Sequence, residues 1–238
     1  MNRPLSALAA ALAALPAFAD PAPTLPPIDV KATATDAPAL TVPTVAARAA
    51  ELREIAGGAG VVDAESYKTG RASTLADALG FAPGVYVQSR FGSEEARLSI
   101  RGSGIQRTFH LRGIQLMQDG VPINQADGGG DFQVVEPLAA RYIEVFRGAN
   151  ALQYGSSTLG GAVNFVTPTG FDAPGVQARA ELGSFGYARL QASAAGATGP
   201  LDYFVSASHF YQDGFRTHAE QDNNRLFGNV GFRINPAL

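Results

Sequence analysis

The sequence predicts a small α+β domain followed by antiparallel strands of the kind that form a membrane β-barrel. Three observations predict it. Short β-prone runs at 98–100, 114–117, 142–146 and 162–166 are each punctuated by a glycine-containing turn. From Val176 onward, apolar and polar residues alternate through most of four further runs. Charged residues make up only 16% of the chain, against about 25% in average globular proteins, while there are 27 glycines and 2 methionines, a balance that suits turns and strands better than packed helices.

Taken in order, the chain opens with Arg3, an Ala/Leu run over 5–15 and the A-x-A sequence Ala17-Phe18-Ala19 before Asp20. That pattern predicts an exported chain with a cleaved leader over 1–19. No later stretch reaches the ~18 apolar residues of a membrane helix, so any crossing of a bilayer would be by strands. Residues 20–43 are rich in Pro, Ala and Thr and predict an extended linker. Within it, Leu25, Pro26, Pro27, Ile28, Asp29, Val30, Lys31 and Ala32 form a short β-prone island. Such an island can add as a strand to a partner's sheet edge, where main-chain hydrogen bonds supply the affinity.

Residues 44–55 predict a helix with Thr44 as N-cap and Val45, Ala49, Leu52 and Ile55 along one side, ended by Gly57-Gly58. A short strand is expected over 60–64 and a capped helical turn from Ser73 or Thr74 that Gly80 and Pro83 stop. Another strand is expected over 85–87. Arg-Gly follows strand-like runs at Arg101-Gly102 and Arg147-Gly148, and Asp119-Gly120 sits between apolar flanks as a hairpin turn would. Short strands and helices interleaved over this length predict the α+β domain, spanning 44–170.

Over 171–238 the pattern changes. Val176, Ala178, Ala180 and Leu182 alternate with Gln177, Arg179 and Glu181, and the pattern returns around Leu190, Tyr203 and Leu226, with Phe204 and Phe227 out of phase. Two arrangements fit: barrel strands, or a soluble antiparallel sandwich with one wet face. Tyr203, Phe210 and Tyr211 near strand ends suit an interfacial girdle, and a short connection at 198–200 against a longer polar one at 213–224 suits alternating turns and loops. Both favour the barrel. Four strands cannot close one, since the smallest membrane barrels need about eight. The chain is therefore expected to hold only the first part of such a wall.

Several classes of chemistry find no support. A net charge of −3 gives no electrostatic case for nucleic acid, and with no cysteine there is neither a disulfide nor a thiolate metal site. The segment Gly102-Ser103-Gly104 has Arg107 where a dinucleotide fingerprint needs its third glycine, and no cofactor is expected. His110, His209 and His218 match no zinc spacing, and Asp127 and Asp131 flank three glycines without the alternating ligands of a calcium loop. No nucleophile–base pair or other catalytic constellation stands out, so neither an enzyme nor a bound metal is expected.

The ordered set of Ile100-Arg101-Gly102, QDGVPIN at 118–124, YIEVFRGANALQYG at 142–155 and LGGAVNFVT at 159–167 resembles the plug domain of TonB-dependent outer-membrane transporters. The resemblance extends over roughly 26–238 and is densest in the plug. It implies a plug seated in a barrel of about 22 strands, and an energy-coupling periplasmic partner that grips Leu25 to Ala32 as a TonB box. It also implies that Arg101 and Arg147 lock the plug through glutamates of the barrel. Cargo contact would fall on outward loops, carried by Arg90, Phe91, Gln106, Arg107, Asn124, Gln125, Asp127 and Phe132. Arg90 and Arg107 suit an anionic chelate, so a ferric siderophore or ferric citrate is the first expectation, with haem, cobalamin, copper and oligosaccharide open. The barrel's outer face would meet outer-membrane lipid. The alternative is a soluble periplasmic module that binds a ligand or a protein.

Overall fold

The structure, a computed structural model, describes residues 42–80, 82–89, 95–103, 111–173 and 175–234. The expected leader, the segment Leu25 to Ala32, and Arg90, Phe91, Gln106 and Arg107 lie outside the described residues.

Helix α1 spans Val45–Arg53, and the Thr44 hydroxyl accepts from the Ala47 amide at 3.2 Å, as an N-cap should. Leu52 is its buried residue, whereas Ile55 falls past the helix end and is exposed. Strand β1 (Ala59–Asp63) leads into α2 (Ala64–Lys68), a helical turn that the sequence pattern did not announce, capped by the Asp63 carboxylate on the Glu65 amide. Helix α3 (Leu75–Leu79) starts on a full capping box: Thr74 accepts from the Asp77 amide, and the Asp77 carboxylate accepts from the Thr74 amide. Thr74→Ala should cost about 1 kcal/mol, read as a lowered unfolding midpoint, with Thr74→Ser close to the parent.

Strands β2 (Val85–Ser89) and β3 (Ala96–Ile100) pair as a separate ribbon. The main sheet has the order β1-β6-β7-β4-β5, with β4 (Ile114–Gln118), β5 (Val121–Pro122), β6 (Tyr142–Arg147) and β7 (Gly161–Val166). Among the described residues, only the β4–β7 pairing is parallel. Layers on both sides bury β7 completely and β6 up to Phe146, which is why these strands read as apolar runs rather than alternations. Leu98, Ile100, Ile114, Leu116, Ile143 and Val163 meet in the core at under 1% exposure.

Two tight turns fix the register. Asp119 and Gly120 have φ of 50° and 79°, the left-handed pair that a two-residue hairpin turn demands, and they join Gln118 to its partner Val121. The Asp119 carboxylate then accepts from the Thr167 amide at 2.8 Å and the Thr167 hydroxyl at 2.7 Å, stitching the turn to the end of β7. Arg101 and Gly102 repeat the geometry at φ of 52° and 85° between Ile100 and Ser103.

The remaining strands, β8 (Val176–Leu182), β9 (Ala188–Thr198), β10 (Leu201–Gln212) and β11 (Gln221–Phe232), form one antiparallel sheet in sequence order. Its faces are inverted relative to a soluble sheet. Val176, Leu182, Leu226 and Val230 are 73–85% exposed, while Arg189, Asp202, Ser206 and Ser208 are buried against the α+β domain. A sandwich hides its apolar phase. This sheet presents it outward and so is not the soluble sandwich that the alternation alone allowed.

The two out-of-phase aromatics fit the same logic. Phe204 and Phe227 turn inward, 6.3 Å apart between ring centres, and pack with Ala139 of the α+β domain. Phe210 corrects an expectation: it is not part of an outer girdle but is buried inward, edge-on to Tyr187 at 5.6 Å. Strand β11 also begins earlier than expected, at Gln221, so the connection after β10 covers only 213–220. Among the described residues the sheet does not close on itself.

Candidate functional site

Arg101 and Arg147 come from different elements, a left-handed turn after β3 and the last residue of β6, yet their side chains converge. Arg101 Nη2 donates to the Gly57 carbonyl at 2.6 Å; Arg147 donates through Nε to the Pro83 carbonyl at 2.6 Å and through Nη1 to the Gly58 carbonyl at 3.0 Å. Gly58, at φ 96°, makes room for both: a Cβ there would lie 3.2 Å from Arg101 Nη2 and 3.7 Å from Arg147 Cδ. Every one of these acceptors is a neutral carbonyl, and among the described residues neither guanidinium has a carboxylate partner. Burial, and after it the charge of Arg101, pull the Arg147 pKa below its ordinary value. Two like charges are thus held together on backbone carbonyl oxygens.

The loop over 124–132 is partly committed to structure. Asn124 uses its whole amide: Oδ1 accepts from the Leu116 amide (2.6 Å) and Gln115 Nε2 (2.8 Å), and Nδ2 donates to the carbonyls of Ile114 (3.1 Å) and Gly128 (3.2 Å). Phe132 is 5% exposed in the core. Neither side chain is presented to a ligand, so the expected cargo contacts at Asn124 and Phe132 are set aside. Gln125 and Asp127 stay exposed, the Asp127 carboxylate accepting from the Gly129 amide at 2.8 Å.

The contact between the α+β domain and the sheet β8–β11 is polar and dense. At its centre is Glu136, buried at the start of the 3₁₀ turn Pro137–Ala139. Its carboxylate accepts from Arg189 Nη2 at 2.5 Å, the Ser208 hydroxyl at 2.6 Å and the Leu138 amide at 3.1 Å, and Arg225 Nη1 lies 3.7 Å away. Around it, Gln191 donates to the Leu138 carbonyl at 3.3 Å and Arg225 donates to the Gln133 carbonyl from Nε and Nη2. Arg179 donates to the carbonyls of Lys68 and Gly70, and Asn229 donates to Thr167 Oγ1 and the Pro168 carbonyl. From the domain side, the Tyr67 hydroxyl holds the Pro137 carbonyl at 2.7 Å, and burial pushes that hydroxyl's pKa up. Sequence reasoning missed Glu136. The signal available was the set of arginines, Arg179, Arg189 and Arg225, on the inward phase of alternating strands.

A second polar network lies where the chain enters the domain. Arg48 of α1 donates to Glu144 at 2.5 Å and to Glu51 at 2.7 Å, and Glu144 also accepts from Asn164 Nδ2 at 2.8 Å. Asn164 Oδ1 in turn accepts from the Gly120 amide at 2.9 Å. Arg48, Glu144, Asn164 and Gly120 line a cleft of about 1090 Å³ between the domain and β11, whose rim includes Val42, Pro43, Asp202 and Arg233. A separate depression of about 670 Å³ lies across the strands β8–β11, where Ala178, Ala180, Ala192, Ala207, Leu190 and Leu226 share the outward phase with His209 and Asn224.

Known proteins share this arrangement. Among solved structures, the siderophore receptor PirA from Acinetobacter baumannii superposes with a TM-score of 0.56 at 20% identity, covering 76% of this chain and 30% of that one. A mutant of the ferric enterobactin receptor PfeA from Pseudomonas aeruginosa gives 0.58 at 21% identity, covering 82% and 32%. The vitamin B12 transporter BtuB of Photobacterium profundum is 31% identical over 140 residues, 58% of this chain and 22% of that protein. The chain therefore spans about a fifth of the length of that curated relative. Residues 51–162 match the family described as the TonB-dependent receptor plug domain, so the chain carries such a plug, followed by four antiparallel strands.

Proposed function

We propose that the complete protein imports a scarce nutrient across the outer membrane, powered by a TonB-type periplasmic partner, and that this chain is its plug and the start of its barrel. The carrying observation is the plug packed on the polar face of a sheet whose apolar face points outward. Such a sheet suits lipid outside and a plug within. In this reading Leu25 to Ala32 is the segment the partner pairs with, and Val42 and Pro43, on the rim of the cleft, connect that segment to α1. Arg101 and Arg147 receive carboxylates from the rest of the barrel. Arg90, Phe91, Gln106, Arg107, Gln125 and Asp127 face cargo. The cycle is mechanical gating, with no bond made or broken in the cargo.

A ferric siderophore is the first cargo in this reading, since the superposed receptors bear siderophore and ferric enterobactin names. Cobalamin is the second, because the 31% identical relative is named for vitamin B12. The test is growth of a receptor-deficient strain carrying the full-length gene, supplied with ferric catecholate, ferric citrate or cobalamin as the limiting nutrient. Rescue by one of the iron chelates supports the first reading, and rescue by cobalamin alone replaces it with the second. Ile28→Pro removes a backbone donor needed for strand addition. It should abolish rescue while cargo binding to isolated membranes stays at the parental level. Undiminished rescue would sink the assignment of the box.

A further inference from the structure

We propose that Glu136 is a wall anchor, which keeps the segment 133–138 attached to the barrel strands β9–β11 while the rest of the plug loosens. It rests on the reading that the plug shifts during passage. Three observations carry it. The Glu136 carboxylate is a plug group held by three different wall residues, Arg189 of β9, Ser208 of β10 and Arg225 of β11. Its principal partner is the most buried cation described: Arg189 is 1% exposed, and its Nε and Nη1 have no hydrogen-bond partner among the described residues. Glu136 is therefore the countercharge without which that guanidinium would sit uncompensated in the interior. Finally, the neighbouring contacts are of a kind that resists sliding. Backbone carbonyls of Gln133 and Leu138 are gripped by Arg225 and Gln191, and a Cβ on Gly170 would collide with the Gly196 carbonyl of β9.

The polarity sets this anchor apart from the arginine pair. At Arg101 and Arg147 the plug supplies cations, whereas at Glu136 it supplies the anion and the first wall strands supply the cations. The plug is thereby fastened on one side by charges of one sense and offers the opposite sense elsewhere. Displacement that begins at α1, near the cleft, can then proceed while 133–138 holds its place against the wall.

The experiment is hydrogen exchange on the complete, detergent-solubilised receptor in sub-denaturing urea, with neither cargo nor partner added. Amides of 133–139 are expected to exchange with β9 and β10, and more slowly than those of α1 and β1. In Glu136→Gln they should exchange about tenfold faster or more and move into step with α1 and β1, while β6 and β7 change little. Ser208→Ala, a milder change that removes one hydrogen bond to the same carboxylate, should give a smaller shift in the same direction if Glu136→Gln fails to assemble. Exchange of 133–139 in step with α1 in the parent protein would overturn the anchor. So would equal acceleration throughout the plug in both variants. Because no uptake is measured, failure of the transport reading would appear in the growth assay and not here.

Discussion

Replacing Arg48 by leucine should destabilise the α1 end of the plug by about 3–5 kcal/mol. The size follows from which partner is left behind. The Glu144 side chain is 5% exposed in the middle of the sheet, and its countercharge is the Arg48 guanidinium at 2.5 Å. Without Arg48 it retains Asn164, which supplies a hydrogen bond and no charge. The reverse change is milder. In Glu144→Gln, Arg48 is still 25% exposed and keeps Glu51 at 2.7 Å, so a cost of about 1–2 kcal/mol is expected. In the parent protein both carboxylates act on the Arg48 guanidinium. Burial works against its charge, but hydrogen bonds to Glu51 and Glu144 outweigh it and the group lies above its ordinary value. The double variant Arg48→Leu, Glu144→Leu should recover most of the loss, because no charge is then stranded. The measurement is native-state hydrogen exchange at α1 and β6 of the solubilised receptor. Single variants of equal cost would mean that Glu144 reaches water by another route.

The same network shows what was legible in the sequence and what was not. Thr44 as a cap, a capped turn starting at Ser73 or Thr74 and the Asp119–Gly120 turn were readable, because each depends on residues within a few positions of one another. The four alternating runs were readable for the same reason. Their orientation was not: alternation gives two faces and leaves open which one meets the interior. That was decided by side chains far away in sequence, above all Glu136, which is 53 positions from Arg189 and 72 from Ser208. Asn124 was misjudged on similar grounds. A polar residue in a glycine-rich loop suggests ligand contact, but four hydrogen bonds to its own loop and to β4 consume the amide. Arg101 and Arg147 were found by their motif. Their convergence on the carbonyls of Gly57, Gly58 and Pro83 is a property of the packed domain.

Leu226→Arg should cost about 2–4 kcal/mol and sharply reduce the amount of full-length receptor assembled in the outer membrane. Leu226 lies at mid-length of β11, opposite Ala207 of β10, with its side chain 79% exposed on the outward face. In water, an exposed leucine far from any packing is replaced by arginine at a cost of within about 0.5 kcal/mol, and solubility often gains. Against hydrocarbon, the guanidinium must either lose its hydration or drag water and headgroups inward, and the penalty is steepest near the middle of the strand. The contrast is sharpened by a charge that the wall already carries. Arg225, the neighbouring residue, points the other way and lies on the Gln133 carbonyl and near Glu136, where the plug supplies acceptors. Adjacent positions on one strand thus differ in whether arginine is held or expelled, and the difference is the pleat alone. Heat-modifiable mobility of the receptor from outer-membrane preparations reads the outcome directly. Parental assembly of Leu226→Arg would mean that this face meets water or protein, and the barrel reading of β8–β11 would fall with it.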